Sequence, residues 1–319
     1  MIDRRNLSLT DKDRARARLL HQIRERWQIY LLLILPLVYL FIFSYGPMGG
    51  LVIAFKRYNF SLGIFGSPWV GLDNFKRFLQ SYKFVQVLRN TLTLSFYSLF
   101  VTFPIPIVFA LLLNALPYPK YQKLIQTVTY IPHFISTVVM VGLIFQLLNN
   151  RTGLYGALWM ALTNVMPPDL LAVGSNFKHI YVWSAVWQGT GYASIIYFAA
   201  LSNVDPTLHE AALVDGATRF QRVLYVDIPC IMPTASIMLI LAVGGIMNVA
   251  FEKTLLMQNS LNINFSEVIS TYVYKVGLAS GVNDFSLSAA IGMFNSVINF
   301  LLLVLANWGS KKLNGSGIF

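Results

Sequence analysis

Charge is scarce in this chain of 319 residues: Lys, Arg, Asp and Glu together make up 12%, about half the share usual in a soluble globular protein. Acidic residues are scarcer still, 13 against 24 basic ones, which leaves a formal net charge of +11. There is one cysteine, Cys230, so an internal disulfide framework and a thiolate-rich metal cluster are both excluded. Beside Pro229 at the mouth of an apolar run, Cys230 reads as a packing residue. No G-x-x-x-x-G-K-[ST] loop occurs, and the Lys253–Thr254 pair lacks the glycines that cradle phosphate. The chain therefore has no site of its own for splitting ATP. H-E-x-x-H is missing, no nucleophile stands paired with a base, and the four histidines suggest no metal site.

What remains is apolar. Hydrophobic residues form 56% of the chain, in recurring runs near the ~20 residues that a helix needs to cross a ~30 Å hydrocarbon core. One span opens at Trp27 with "WQIYLLLILPLVYLFIFSYG" and reads as a retained anchor, since "SYGPMGG" lacks a small-residue cleavage pattern. Further spans fall near 90–114, 124–148, 180–201, 231–250 and 288–308. The expected fold is an all-α membrane protein: a basic tail at 1–26, one six-span domain at 27–312, and a short tail at 313–319.

Six spans put both termini on one side. Fourteen basic residues fall on that side, eight of them in the first 26 positions, against ten on the other, six of which crowd into the first loop. The positive-inside rule makes the richer side cytoplasmic. Basic residues flank apolar spans instead of lining an aromatic-studded polar surface, so no nucleic-acid partner is expected. Within "GLDNFKRFLQSYKFVQVL", Phe75, Phe78, Leu79 and Tyr82 have helical spacing with Asp73 as N-cap, either an interfacial helix or a solvated connector. The stretch "FSEVISTYVYKVGL" is too short to span and too apolar for free water, which fits a re-entrant or interfacial segment. Pro132 is expected to kink the third span.

One polar stretch interrupts the apolar second half: "EAALVDGATRFQRVLYVDIP", Glu210 to Pro229. Asp205 is placed to cap a helix whose first turn holds Pro206, and Gly216 to end it in the left-handed conformation. A second short helix follows and is expected to close at Pro229. In lipid such a turn would strand backbone polar groups, so residues 205–229 belong outside the hydrocarbon, on the cytoplasmic face.

The spacing E-A-A, three residues, G, nine residues, aliphatic, x, aliphatic, P resembles the cytoplasmic "EAA" loop of permease subunits of binding-protein-dependent ABC importers. It falls here on Glu210, Ala211, Ala212, Gly216, Val226, Ile228 and Pro229, with Val226 and Ile228 replacing the more usual Ile and Leu. Asp215, Gly216 and Ala217 resemble the "DGA" of carbohydrate-uptake permeases, and "YIPHFISTVV", "GYASIIYFAALSNVDP" and "TYVYKVGL" look like the LplB-type branch. The resemblance implies a type I importer permease fold in a bacterial plasma (inner) membrane, and a loop that docks into a separate ATPase. Expected partners are a second homologous permease as a heterodimer, two ATPase subunits carrying ATP and Mg, membrane lipid, and an extracytoplasmic solute-binding protein. The solute would be a sugar, such as an oligosaccharide or complex-glycan fragment.

In such permeases the substrate rests between the spans before and after the loop. The resemblance thus favours Trp187, Gln188, Gly189, Tyr192, Gly245 and Asn248 as pathway residues. From the residues alone, Trp183 and Trp187 share a helix face and read equally as interfacial anchors, and Gln188 as helix-to-helix glue. Asn295 and Asn299, one turn apart, read as route-lining or helix-joining. Two other classes stand beside this one. An ion- or proton-coupled transporter calls for buried charges within spans and symmetry between halves. Glu252 alone points that way. An intramembrane enzyme calls for a catalytic constellation that the chain lacks.

Overall fold

A computed structural model describes residues 21–22, 25–279, 281 and 283–314. The basic tail of residues 1–26 lies mostly outside the described residues, as does most of the 313–319 tail. Among the described residues there is no strand, only one isolated bridge between Lys56 and Trp69. Apart from two short turns at Gly46–Met48 and Gly63–Gly66, the α-helices in chain order are α1 (Trp27–Leu40), α2 (Asp73–Leu79), α3 (Phe84–Thr102), α4 (Pro104–Asn114), α5 (Pro119–Tyr130) and α6 (Thr137–Leu147). They continue with α7 (Leu154–Thr163), α8 (Phe177–Ser202), α9 (Pro206–Val214), α10 (Arg219–Arg222) and α11 (Ile228–Gly244). Short helices α12 (Phe251–Met257), α13 (Ile263–Ser266) and α14 (Ile269–Tyr274) precede the long α15 (Phe285–Asn314).

Among the described residues, four stretches are long and apolar enough to cross a membrane: Trp27–Phe55, Phe84–Asn114, Arg219–Gly244 and Phe285–Lys312. A fifth forms only if the bent pair Pro119–Phe134 and Thr137–Leu147, which meet at 101°, counts as one span. The 26-residue α8 has the length of a span, about 39 Å at 1.5 Å per residue, but Lys178, His179, Gln188 and Thr190 dilute its apolar content. The six expected spans thus correspond to four apolar helical stretches, one elbow and one long, more polar helix, which are unequal in shape and composition.

The elbow has a local cause. Pro132 lies in a tight 3₁₀ turn, Ile131–Phe134, after which Ile135 is extended and Ser136 caps α6 by accepting from the Val139 N–H at 3.4 Å. Proline cannot supply a helical N–H, and the helix restarts with its own cap instead of bending gently. Asp73 is the first residue of α2 and makes no cap hydrogen bond; Leu72 holds the N-cap position. The span expected at 231–250 stops as a helix at Gly244. Pro229 does not close a second short helix: α10 runs through a π-turn at Val223–Asp227 straight into α11, with Pro229 in its first turn, where the absent N–H is harmless. Cys230 is exposed on α11 and not packed, because its neighbour Ile231 takes the buried face at 1% exposure.

Three apolar clusters hold the bundle together. Ala110, Leu111, Tyr197, Leu201 and Ile231 join α4, α8 and α11. Phe78, Val87, Met247, Ile269 and Ile291 join α2, α3, α14 and α15. Leu94, Val141, Tyr181, Val182 and Met257 join α3, α6, α8 and α12. Helix approach is close where side chains are absent: a Cβ on Gly191 would run into the Thr129 carbonyl of α5, and one on Gly244 would stand 2.5 Å from Leu303 of α15. The first span differs from all of these. No residue from Trp27 to Tyr45 is buried against the rest of the chain.

Candidate functional site

At one end of α8 the chain enters the 205–229 loop, and local chemistry stiffens each step. The Asp205 carboxylate accepts from the Thr207 N–H at 2.9 Å, with Pro206 at the first helical position of α9. The backbone N–H and hydroxyl of Thr207 hold the Asp205 carboxyl below the usual carboxylate range. At the far end of α9, Gly216 has φ +77°. There the Ala217 N–H donates to the Ala212 carbonyl at 2.9 Å and the Gly216 N–H to the Leu213 carbonyl at 3.0 Å. This pair of bonds satisfies carbonyls the helix would leave open.

Thr218 then starts α10 with a capping box: its hydroxyl accepts from the Gln221 N–H, and the Gln221 side chain accepts from the Thr218 N–H at 2.8 Å. His209 Nε2 lies 3.2 Å from Asp227 Oδ1, bracing α9 against the base of α11. Glu210, Ala211, Asp215 and Gly216 are exposed, Ala212, Ala217 and Ile228 half-buried, and Pro229 exposed. Large apolar side chains stand in the open beside them, Val214 at 88% and Phe220 at 74% exposure. A cavity of about 380 Å³ separates this element from the end of α4 and is lined by His209, Arg219, Arg222 and Asp227.

The pathway candidates do not share one cavity. Gln188 donates its amide to the Ile135 carbonyl at 2.9 Å, the carbonyl left without a helical partner at the elbow. Tyr192 stacks on His133 with ring centroids 3.8 Å apart and planes within 1°. Gly189 faces open space. Trp187 and Trp183 line an apolar cavity of about 490 Å³ with α6. Trp183 donates to the Tyr97 hydroxyl at 3.1 Å, which in turn meets His179 Nδ1 at 3.0 Å. Gly245 and Asn248 line a separate space of about 200 Å³ with Ser95, Ser98, Thr102 and Tyr181. There the Asn248 side-chain oxygen accepts from both Asn295 and Asn299 at 3.0 Å, and Asn299 accepts from the Met247 N–H at 3.0 Å. Asn295 and Asn299 therefore join α15 to the segment after α11.

Residues 83–315 match the family described as the binding-protein-dependent transport system inner membrane component. The chain belongs to this family. It is 40% identical over 296 residues to "Protein LplB" of Bacillus subtilis (strain 168), covering 93% of this chain and 92% of that one. It is 38% identical over 308 residues to the polygalacturonan/rhamnogalacturonan transport system permease protein YteP of the same organism, covering 97% and 95%. Among solved structures, a chain of a bacterial ABC transporter involved in import of the acidic polysaccharide alginate superposes with a TM-score of 0.85 at 36% identity, covering 93% of this chain and 99% of that one. A second structure of such a transporter, in complex with alginate pentasaccharide-bound periplasmic protein, matches with a TM-score of 0.85 at 35% identity, covering 94% and 100%.

The permease is thus an importer's inner-membrane component and carries no ATPase site of its own. Two of its groups escape sequence reasoning. His209 acts across 18 positions, and nothing local marks Asp227 as its partner. Lys253 on α12 is 6% exposed, donates to the Tyr181 carbonyl at 2.9 Å and lies 4.7 Å from the Tyr181 ring centroid. Burial pushes its ammonium down to about 8. A lysine beside a threonine in an apolar context was its only signal.

Proposed function

We propose that the permease forms one half of the transmembrane channel of an ATP-driven oligosaccharide importer, working with a second permease, two ATPase subunits that bind ATP and Mg, and an extracytoplasmic binding protein. One observation carries this reading: residues 205–229 form a capped, braced, largely exposed element that displays Val214 and Phe220 at an end of the bundle. Apolar groups that face neither lipid nor core call for a protein cover. A cleft on an ATPase is that cover, with Glu210, Ala211, Ala212, Asp215, Gly216, Ala217, Ile228 and Pro229 as the coupling residues. The loop then faces the cytosol, as do both termini.

Nucleotide binding moves such a channel only by favouring one of its states, and shifting a balance from 1:99 to 99:1 takes about 5.5 kcal/mol. A loop that bent under load would dissipate that difference, and the caps at Asp205, Gly216 and Thr218 prevent bending. The substrate class follows from the relatives named for polygalacturonan and alginate. Trp187, Gln188, Gly189, Tyr192, Gly245 and Asn248 are proposed to face the route between α8 and the segment after α11, in a domain of residues 27–312. The test is co-purification and uptake. Gly216→Val should abolish ATPase association and transport, while Gln188→Leu and Asn248→Leu should impair uptake with ATPases still bound. Wild-type association and uptake in Gly216→Val would reject the coupling role.

A further inference from the structure

At the end of α8 opposite the coupling loop, a cavity of about 490 Å³ opens between the starts of α3 and α8 and the segment around α13. Its size falls within the ~300–1,000 Å³ usual for ligand sites. Arg89 and Lys178 both line it, with Tyr82 and Phe265 supplying aromatic faces and Thr93 and Ser175 supplying hydroxyls. No Asp or Glu lines it.

The charge is left over, not shared. The nearby carboxylate, Glu267, is fully engaged elsewhere: Oε2 meets Lys83 at 2.9 Å and Oε1 meets Lys275 at 3.0 Å. Among the described residues neither Arg89 nor Lys178 pairs with a carboxylate. The wall is also fixed in advance. Asn90 donates to the carbonyls of Asn264 and Glu267 at 2.9 and 3.0 Å, and Gln86 to that of Asn264 at 3.2 Å. Gly174 lets the wall close, since a Cβ there would stand 2.5 Å from the Phe265 ring. Tyr82, at 89% exposure, stands with its ring open to solvent.

We propose that this cavity is an entry subsite for acidic oligosaccharides, in which Arg89 and Lys178 receive sugar carboxylates while Tyr82 and Phe265 lie against ring faces. The proposal rests on the importer reading, because it takes this end of α8 to be the one facing the binding protein. An Arg fork matches a carboxylate with two parallel hydrogen bonds, and a neighbouring ammonium adds a second cation for the next acidic unit along a chain. A neutral glycan gains nothing from either. Discrimination for acidic sugars would then reside partly in the permease and not wholly in its binding protein.

The experiment uses the purified importer complex without its binding protein, with trigalacturonate and the same trisaccharide reduced at its carboxyl groups as probes. Binding of trigalacturonate is expected to weaken with salt and to fall by about tenfold or more in Arg89→Gln/Lys178→Gln, with Arg89→Lys keeping part of it. The carboxyl-reduced trisaccharide should bind wild type and double variant equally weakly. An unchanged melting temperature and unchanged ATPase association in the double variant would show that the complex is intact. Equal binding of the two trisaccharides to wild type, or unchanged trigalacturonate binding in the double variant, overturns the subsite. So does a double variant that keeps trigalacturonate binding but no longer docks the binding protein, which would assign the cations to a protein partner. Displacement of trigalacturonate by anionic phospholipid but not by sodium galacturonate would assign them to lipid. Failure of the subsite with Gly216→Val still uncoupling transport leaves the importer reading intact, and the reverse pattern rejects the coupling role of the loop while the subsite stands.

Discussion

The two polar ends of the bundle are built on opposite principles. The 205–229 element is held from within, by bonds between residues two to five positions apart, Asp205 to Thr207, Ala217 to Ala212 and Thr218 to Gln221, and by the His209–Asp227 contact across 18 positions. The 251–287 segment at the other end adds to its local bonds a set of partners far away in the chain. Glu267 pairs with Lys83, the Ile269 N–H donates to Thr91 at 2.9 Å, and Lys253 reaches Tyr181. Holding from within suits the proposed docking role, in which an element presenting a fixed shape to another protein carries its stiffness within itself. A segment that covers the bundle's end takes its shape from the helices beneath it.

The largest expected effect tests the self-contained end. Gly216 sits at φ +77°, where an L side chain costs roughly 1–2 kcal/mol. Gly216→Val should therefore displace the turn and reduce uptake to background while the bundle still folds, read by transport in vesicles and by co-purification of the ATPases. A folded complex with normal uptake would show that the turn's geometry is not needed.

Next comes Glu267, whose side chain is 5% exposed between two lysines. Removing one member of a buried ionic cluster costs about 3–5 kcal/mol, less here because Lys83 and Lys275 are partly solvated. Glu267→Gln is expected to cost about 2 kcal/mol and to lower the melting temperature of the complex. Burial pushes the Glu267 carboxyl up, but hydrogen bonds from Lys83 and Lys275 outweigh it and hold the group below its ordinary value. Its stabilisation is therefore present above the ordinary carboxylate pKa and is lost as pH falls through the lower folded value. A melting temperature in Glu267→Gln that tracks wild type at neutral pH would show that the long-range end does not depend on this cluster.

Smaller effects sharpen the contrast. Thr218→Ala removes the cap of α10 and should cost about 1 kcal/mol, seen as faster amide exchange confined to residues 218–222. Exchange that spreads to α15 would contradict the local character of that end. The smallest change is Arg77→Gln, which breaks an exposed pair with Asp284 at 2.9 Å and should alter stability by less than about 1 kcal/mol.

The same division explains what sequence reasoning reaches. Asp205, Pro206 and Gly216 are legible because capping and positive φ are decided within a few residues, and each sits as expected. The all-helical class follows from apolar runs. The shapes of the six expected spans are less legible, because apolarity cannot tell a straight span from an elbow whose cause is one proline followed by a new cap. The continuation through Pro229 was hidden too, since a proline reads alike whether it ends one helix or sits in the first turn of the next. Gln188 shows the limit at the candidate route: an amide in an apolar helix announces a partner, and only the fold reveals that the partner is Ile135's carbonyl.

That hydrogen bond ties two parts of the machine together. The helix that leads into the 205–229 loop at Ser202 also hooks the elbow through Gln188, part-way along a rod without proline. If the 205–229 element docks as proposed, a tug at that end would reach the corner between α5 and α6 along a single proline-free helix.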